Sequence, residues 1–320
     1  MTEAANARPP RRALHGVLLL DKPPGWTSND ALQKVKGLLR AEKAGHTGTL
    51  DPLATGLLPL CFGAAAKFGQ ASLDADKRYL ATLRLGQRTR TGDLEGAVVE
   101  ERPVVFDAAA LDDVLRRFTG PIAQRPPMHS ALKKDGRALY DYARAGVEVE
   151  REPRPVTIHA LTLVQRQGEQ LTLDVRCSKG TYIRTLAEDI GAALGCGAHL
   201  AALRRTACGP LRLDDAITLE ALQALDDTDA REARLLPPEA LLADWPRLDL
   251  DADAAARLLC GQRLRIDRPD AAALRVYGPP PGGFLGSAHL RGGELIPDRM
   301  LGPNEVAALA AARRTPEVTS

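Results

Sequence analysis

The sequence predicts an α+β protein with one large domain followed by a smaller, β-rich one. Three observations predict it. Strand-like alternation and 3.6-residue apolar periodicity are intermixed along the chain, without the regular strand–helix–strand spacing of a doubly wound sheet. With 320 residues, 44% of them hydrophobic, the chain is long enough for one sizeable core and a second small one. From Arg247 to Ala312, short strand signals are separated by glycines (Gly278 to Gly283, Gly286, Gly292-Gly293), the pattern of a small β domain.

Residues 1–13 are polar and contain Pro and Arg, which predicts a disordered tail. Val17–Leu20 reads as a short buried strand leading into the turn Lys22-Pro23-Pro24-Gly25. Ser28 is placed to cap a helix whose apolar repeat is Leu32, Val35 and Leu39. Tyr79, Ala81, Leu83 and Leu85 alternate with Arg78, Thr82 and Arg84, a strand with one wetter face. Leu111, Val114, Leu115 and Phe118 mark a second amphipathic helix, stopped by Gly120-Pro121. The loop Gln124–His129 opens a segment, 124–154, with seven basic and five acidic residues and with Tyr140 and Tyr142 interleaved. With a helix around Arg137–Arg144, it reads either as a hinged basic flap or as a solvated surface helix. Strands over Val156–Val164 and Leu171–Cys177 precede Lys179-Gly180-Thr181. A helix then opens with Ile183, Leu186, Ile190 and Leu194 as its buried stripe; Arg184 lies just past its start, off that stripe. Leu235–Pro238 and Trp245-Pro246 read as connecting chain, and residues 313–320 as a tail.

The net charge of +2 conceals an asymmetry. Between Leu213 and Ala255, 12 acidic residues face three arginines, a net of −9, so the remainder carries +11. A basic body suits a polyanionic partner, because clustered Lys and Arg gain by releasing counterions from phosphates. The five cysteines (61, 177, 196, 208, 260) form no Cys-x-x-Cys pair, which suits free thiols in a reducing compartment. The apolar run after the N-terminal arginines is too short for a signal sequence, and no window approaches a membrane span, so a cytoplasmic protein is expected.

Several chemistries are excluded. There is no Gly-Lys-Ser/Thr phosphate loop, no strict Gly-x-Gly-x-x-Gly and no Gly-x-Ser-x-Gly elbow. The six histidines show no ligand spacing, and no His-x-Glu precedes a Cys-x-x-Cys, so neither a metal site nor a cofactor is expected. What remains is one carboxylate, Asp51, in the loop "GHTGTLDPLATG" (45–56). By itself it reads as a helix N-cap with Pro52 at the first helical position, or as a functional acid.

That loop, extended to "GHTGTLDPLATGLLPL" (45–60), resembles the signature of the TruB family of tRNA pseudouridine synthases, which act on uridine 55 in the T-arm. Further blocks are similar to the family and stand in its order: "GVLLLDKPPGWTSNDAL" (16–32), "KRY" (77–79), "RPPMHSALKKDGRALYDYARAG" (125–146), "CSKGTYIRTLAEDIG" (177–191) and "GAHLAALRRTACG" (197–209). The likeness covers residues 14–245. The segment "GFLGSAHLRGGELIPDRML" (283–301) is similar to the family's small PUA-type RNA-binding domain. Thr49 stands where the family most often has alanine, and Pro279–Pro281 lengthen a loop of the C-terminal domain.

The resemblance implies a catalytic domain over 14–245, with a mixed, mainly antiparallel sheet flanked by helices, and a PUA-like β-barrel over 246–312. Residues 124–154 match a thumb-like RNA-binding insertion. Asp51 matches the family's catalytic aspartate, which adds to the sugar or base or abstracts a ribose proton. Arg184 matches the arginine that pairs with it; an ionised, water-poor carboxylate needs such a cation, since burial alone raises its pKa. Tyr79 matches the active-site tyrosine that stacks on the flipped base, and His46 the histidine that fills the gap left in the RNA. Tyr182 and Leu203 match residues lining the uridine pocket, and Lys22 supports the pocket floor or a phosphate. The implied partner is the tRNA T-arm, bound by a monomer that needs no protein partner and no cofactor. A non-catalytic RNA-folding protein, a guide-dependent relative and an Asp51 hydrolase are the competing readings.

Overall fold

The computed structural model describes residues 10–130, 132–280 and 283–312. The expected tails at 1–9 and 313–320 lie outside the described residues. Residues 10–13, expected in the N-terminal tail, are ordered. Arg12 N–H donates to Arg40 O at 2.7 Å, and the Arg12 side chain pairs with Asp229 and Glu232.

Strand β1 (Gly16–Lys22) is almost wholly buried and leads through the Pro-Pro-Gly turn into α1 (Ser28–Leu38). The N-cap of α1 is Thr27, one residue before the expected Ser28. Thr27 Oγ1 accepts from Asp30 N–H, and Asp30 returns a bond to the Thr27 N–H, a capping box. The Ser28 hydroxyl is thereby free for tertiary contact. Strands β2 (Ala44–His46) and β3 (Thr55–Phe62) bracket the Asp51 loop, and α2 (Gly69–Asp74) precedes β4 (Lys77–Leu85). A small hairpin, β5 (Gln87–Thr89) and β6 (Val98–Glu101), is followed by α3 (Ala108–Arg117), capped by Asp107. Where Gly120-Pro121 predicted only a stop, the chain forms an edge strand, β7 (Gly120–Gln124); Pro is tolerated at an edge, where a missing N–H donor need not break a ladder.

The chain leaves the sheet after Gln124 and rejoins it at Arg154, which is Gln124's register partner. Between them lie the two-residue strands β8 (Lys133–Lys134) and β9 (Arg137–Ala138) and the one-and-a-half-turn α4 (Leu139–Arg144). Strands β10 (Arg154–Gln167) and β11 (Gln170–Cys177) form a long hairpin, followed by α5 (Ile183–Ala193) and β12 (Ala198–Cys208). Short elements β13 (Leu211–Arg212), β14 (Ile217–Thr218), α6 (Leu219–Ala224) and α7 (Thr228–Glu232) close the large domain.

The large sheet runs β14-β1-β3-β12-β4-β11-β10-β7, with β2 on β3 and β13 on β12. Only β1/β14 and β3/β12 are parallel, so the sheet is mainly antiparallel, as expected. On one face Ile183, Leu186 and Ile190 of α5 join Leu111 and Leu115 of α3 against Leu83, Leu173 and Val175. Each such fully buried aliphatic side chain contributes roughly 1.5–3 kcal/mol. Strand β3 at the sheet centre carries no alternation in sequence because it is buried along nearly its whole length.

The C-terminal unit is a five-stranded β half-barrel ordered β15 (Arg247–Asp249), β17 (Ala271–Tyr277), β18 (Phe284–Arg291), β19 (Glu294–Met300), β16 (Leu264–Arg265), with α8 (Ala252–Leu259) and α9 (Pro303–Ala312). It docks through Phe284, whose ring lies 5.1 Å from that of Phe68, and through the Lys67–Glu305 ion pair. Among the described residues no helix is long and apolar enough to cross a membrane.

Candidate active site

The Asp51 loop is shaped by glycine and held from below. Gly48 and Gly56 adopt φ of +88° and +96°, a region costly for any residue with a Cβ. Ser28 Oγ donates to Leu50 O (3.0 Å) and accepts from Leu50 N–H (2.8 Å), and Gly25 N–H donates to Pro52 O (2.9 Å). Asp51 O accepts from Ala54 N–H at 3.0 Å, closing a turn with Pro52 at its second position. Strand β3, not a helix, follows that turn, so Asp51 is no helix cap.

Arg184, the second residue of α5 and off its apolar stripe, turns inward. Its side chain is 8% exposed. Nη2 stands 3.0 Å from Asp51 Oδ2 and donates to His129 O at 2.6 Å; Nη1 stands 3.4 Å from Asp93 Oδ2 and donates to Thr91 O at 3.3 Å. Asp93 is itself buried, accepting from the Glu95 N–H and the Thr91 hydroxyl. Behind it, burial pushes the Glu188 carboxyl above the usual range, with Arg88 the main charge opposing the shift. Sequence reasoning missed Asp93. The signal was available in "TRTGDLEG" (89–96), a second lone Asp in a Gly/Thr-rich loop.

Asp51 and Arg184 open onto a cavity of about 640 Å³ whose wall includes Tyr79, Tyr182, Leu203 and Arg205. Tyr79 projects from β4, and Leu203 and Arg205 from β12, its neighbour in the sheet. Burial pushes the Tyr79 hydroxyl up to about 12, against the opposing charge of Arg205, so Tyr79 keeps its proton at ordinary pH. Tyr182 is the residue before α5. Buried Gln124 clamps its backbone with both ends of one amide: Oε1 accepts from Tyr182 N–H (2.7 Å) and Nε2 donates to Tyr182 O (3.0 Å). From the 124–154 segment, His129, Tyr140 and Arg144 reach the same cavity, with the Arg144 guanidinium 5.3 Å from the Tyr140 ring centroid. Gln124 and Arg205 also went unread in the sequence, because nothing local distinguishes them.

Two predicted site residues stand apart. Lys22 is fully buried, and its Nζ donates to Pro23 O (2.9 Å), Trp26 O (2.6 Å) and Pro52 O (3.5 Å). Its ammonium thus meets the backbone of the turn that carries Asp51. Burial lowers its pKa to about 8, against Asp51's opposing charge. His46 lines a neighbouring depression, with Lys67, Gln70 and Arg299, where the two domains meet. Burial, with Arg205 nearby, lowers its pKa. The side chain of Asp51 is 47% exposed, so the protein alone does not supply the dry setting expected for it.

Residues 36–183 match the TruB family pseudouridylate synthase N-terminal domain, 184–243 the tRNA pseudouridylate synthase B C-terminal domain, and 246–301 the pseudouridine synthase II TruB C-terminal domain. Over 314 residues the chain is 60% identical to tRNA pseudouridine synthase B of Cupriavidus pinatubonensis, covering 94% of this chain and 99% of that one. The chain belongs to the TruB family. A TruB-family pseudouridylate synthase is an isomerase, and this chain is one. The TruB-family protein of Verminephrobacter eiseniae is also similar, 57% identical over 98% of this chain and 96% of its own. Among solved structures, the crystal structure of a Cbf5-Nop10-Gar1 complex aligns with a TM-score of 0.71 at 25% identity, over 92% of this chain and 87% of that one.

Proposed function

We propose that this TruB-family enzyme isomerises uridine 55 in the T-arm of tRNA, with Asp51 as its nucleophile and the target base flipped into the cavity. The observation that carries the reading is the Asp51–Arg184 pair, 3.0 Å apart at the mouth of a cavity walled by two tyrosines and a leucine. The substrate assignment rests on the relatives bearing the name tRNA pseudouridine synthase B.

The reaction breaks N1–C1′, turns the base and forms C5–C1′; the C5 proton is lost and N1 gains one. Group donors and redox steps do not enter. Arg184 orients Asp51, and the flipped nucleotide covers the carboxylate, completing its removal from water. Tyr79 stacks on the base, while Tyr182 and Leu203 bound it. His46 fills the space the nucleotide leaves in the RNA. The basic segment 124–154 closes over the T-arm as a thumb, and residues 246–312 extend the RNA-binding surface of a catalytic domain spanning 14–245. The enzyme acts as a cytoplasmic monomer without an obligatory protein partner, unlike the assembly named for its Cbf5 neighbour.

The test uses a T-arm transcript tritiated at uridine C5, incubated with wild type and with Asp51→Asn. Release by wild type alone, from one loop uridine, is expected. Tight binding with no release from either would favour an RNA-folding protein instead.

A further inference from the structure

A buried guanidinium without an acidic partner sits at the centre of the large sheet. Arg205, on β12, is 1% exposed, and among the described residues it forms no ion pair with a carboxylate. Its register partners are Gly56 on β3 and Tyr79 on β4. Nε donates to Leu57 O at 2.7 Å and Nη2 to Gly48 O at 3.2 Å, and the guanidinium charge acts on the Tyr79 hydroxyl of the neighbouring strand.

Those partners are not scattered. Gly48 and Leu57 bound the loop that carries Asp51 at its middle, and Tyr79 forms the facing wall of the cavity. Glycine is required where the backbones meet: a Cβ on Gly56 would lie 2.4 Å from Arg205 O. A charge buried without a counterion is costly, and a methionine or leucine would fill the same space without that cost. What the apolar residue could not do is donate to two loop carbonyls at once.

On the reading that Asp51 and Tyr79 carry the isomerisation, we propose that Arg205 is a positioning residue for that reaction. It ties both ends of the Asp51 loop to one guanidinium set beside Tyr79, so that the carboxylate and the aromatic wall hold a single relative placement. The planar fork suits this, because its donors point in fixed directions that a lysine ammonium does not reproduce. Misplacing reacting groups by a fraction of an ångström slows chemistry more than it weakens binding.

Single-turnover tritium release and tRNA affinity would be measured for wild type, Arg205→Lys, Tyr79→Phe and the double variant. The wild-type trace tests the proposed reaction itself: no release there removes that reading, whatever Arg205 does. With wild-type release established, Arg205→Lys is expected to slow the chemical step at least about tenfold while tRNA affinity stays within about threefold. Its fold-loss should also be smaller in the Tyr79→Phe background, since the two residues act together. Equal fold-losses in both backgrounds, or a rate loss matched by an affinity loss, would overturn the proposal. A second measurement does not need the Arg205 variant to fold. Amide hydrogen exchange over residues 48–57 is expected to quicken in Tyr79→Phe while that of β1 is unchanged; unaltered protection of the loop would also overturn the coupling.

Discussion

Arg184 stands 3.0 Å from Asp51 through Nη2 and, on the other side of the same guanidinium, 3.4 Å from Asp93 through Nη1. The two acids differ in setting: the Asp51 side chain is 47% exposed and that of Asp93 6%. Asp93 therefore anchors the cation, and Asp51 is presented to the cavity. Asp93→Asn leaves the buried guanidinium with half its compensation. The expected cost is about 3 kcal/mol in urea unfolding, since breaking a buried pair strands a charge. Turnover should fall, but less than in Asp51→Asn. Unchanged stability would show that Asp93 does not compensate the Arg184 charge.

Arg184→Lys tests the fork rather than the charge. One guanidinium serves two carboxylates and two carbonyls, and a lysine ammonium cannot span that set. The single-turnover rate should drop about 100-fold with tRNA affinity nearly unchanged, the pattern of an interaction lost in the transition state. A loss confined to affinity would place Arg184 in RNA binding instead.

Lys22 makes stability depend on pH with a definite sign. Burial first, and the Arg205 charge in addition, lower its folded pKa from 10.5 to about 8 despite Asp51. Between those values the unfolded chain binds more protons, so this residue's contribution to stability rises with pH; below about 8 its burial penalty is fully present. Lys22→Met carries no such dependence. The stability of wild type minus that of Lys22→Met should therefore increase from about pH 7 to about pH 10, followed by urea unfolding at each pH. A flat difference would mean that burial does not lower the Lys22 pKa in the folded protein.

The basic balance outside 213–255 predicts how tRNA binding responds to salt. Log affinity should fall linearly with log salt concentration, its slope counting phosphates neutralised. Replacing Lys133 and Lys134, both exposed in the 124–154 segment, should flatten that slope by about two. Titrations at several salt concentrations decide it, and a slope unaltered by the double substitution would exclude this segment from phosphate contact.

The sequence by itself determined the elements whose two faces differ. The α5 stripe, the alternation of β4 and the strands of β10 and β11 were legible because each sorts apolar from polar residues at its own period. The motif-bearing residues Asp51, Arg184, Tyr79, Tyr182 and Leu203 were also singled out from sequence, and they line one cavity. Strand β3 was not legible, because a strand covered on both faces loses its period. The inward turn of Arg184 was legible through the motif alone, since no local period carries it. Only the tertiary structure decided that β12 lies between β3 and β4, bringing Arg205 against both the Asp51 loop and Tyr79. It alone set Asp93 against Arg184, Gln124 against Tyr182, and Lys22 beneath Pro52. Local pattern reports which residues leave water. Which buried charge meets which partner depends on pairing between distant segments, and no local period encodes it.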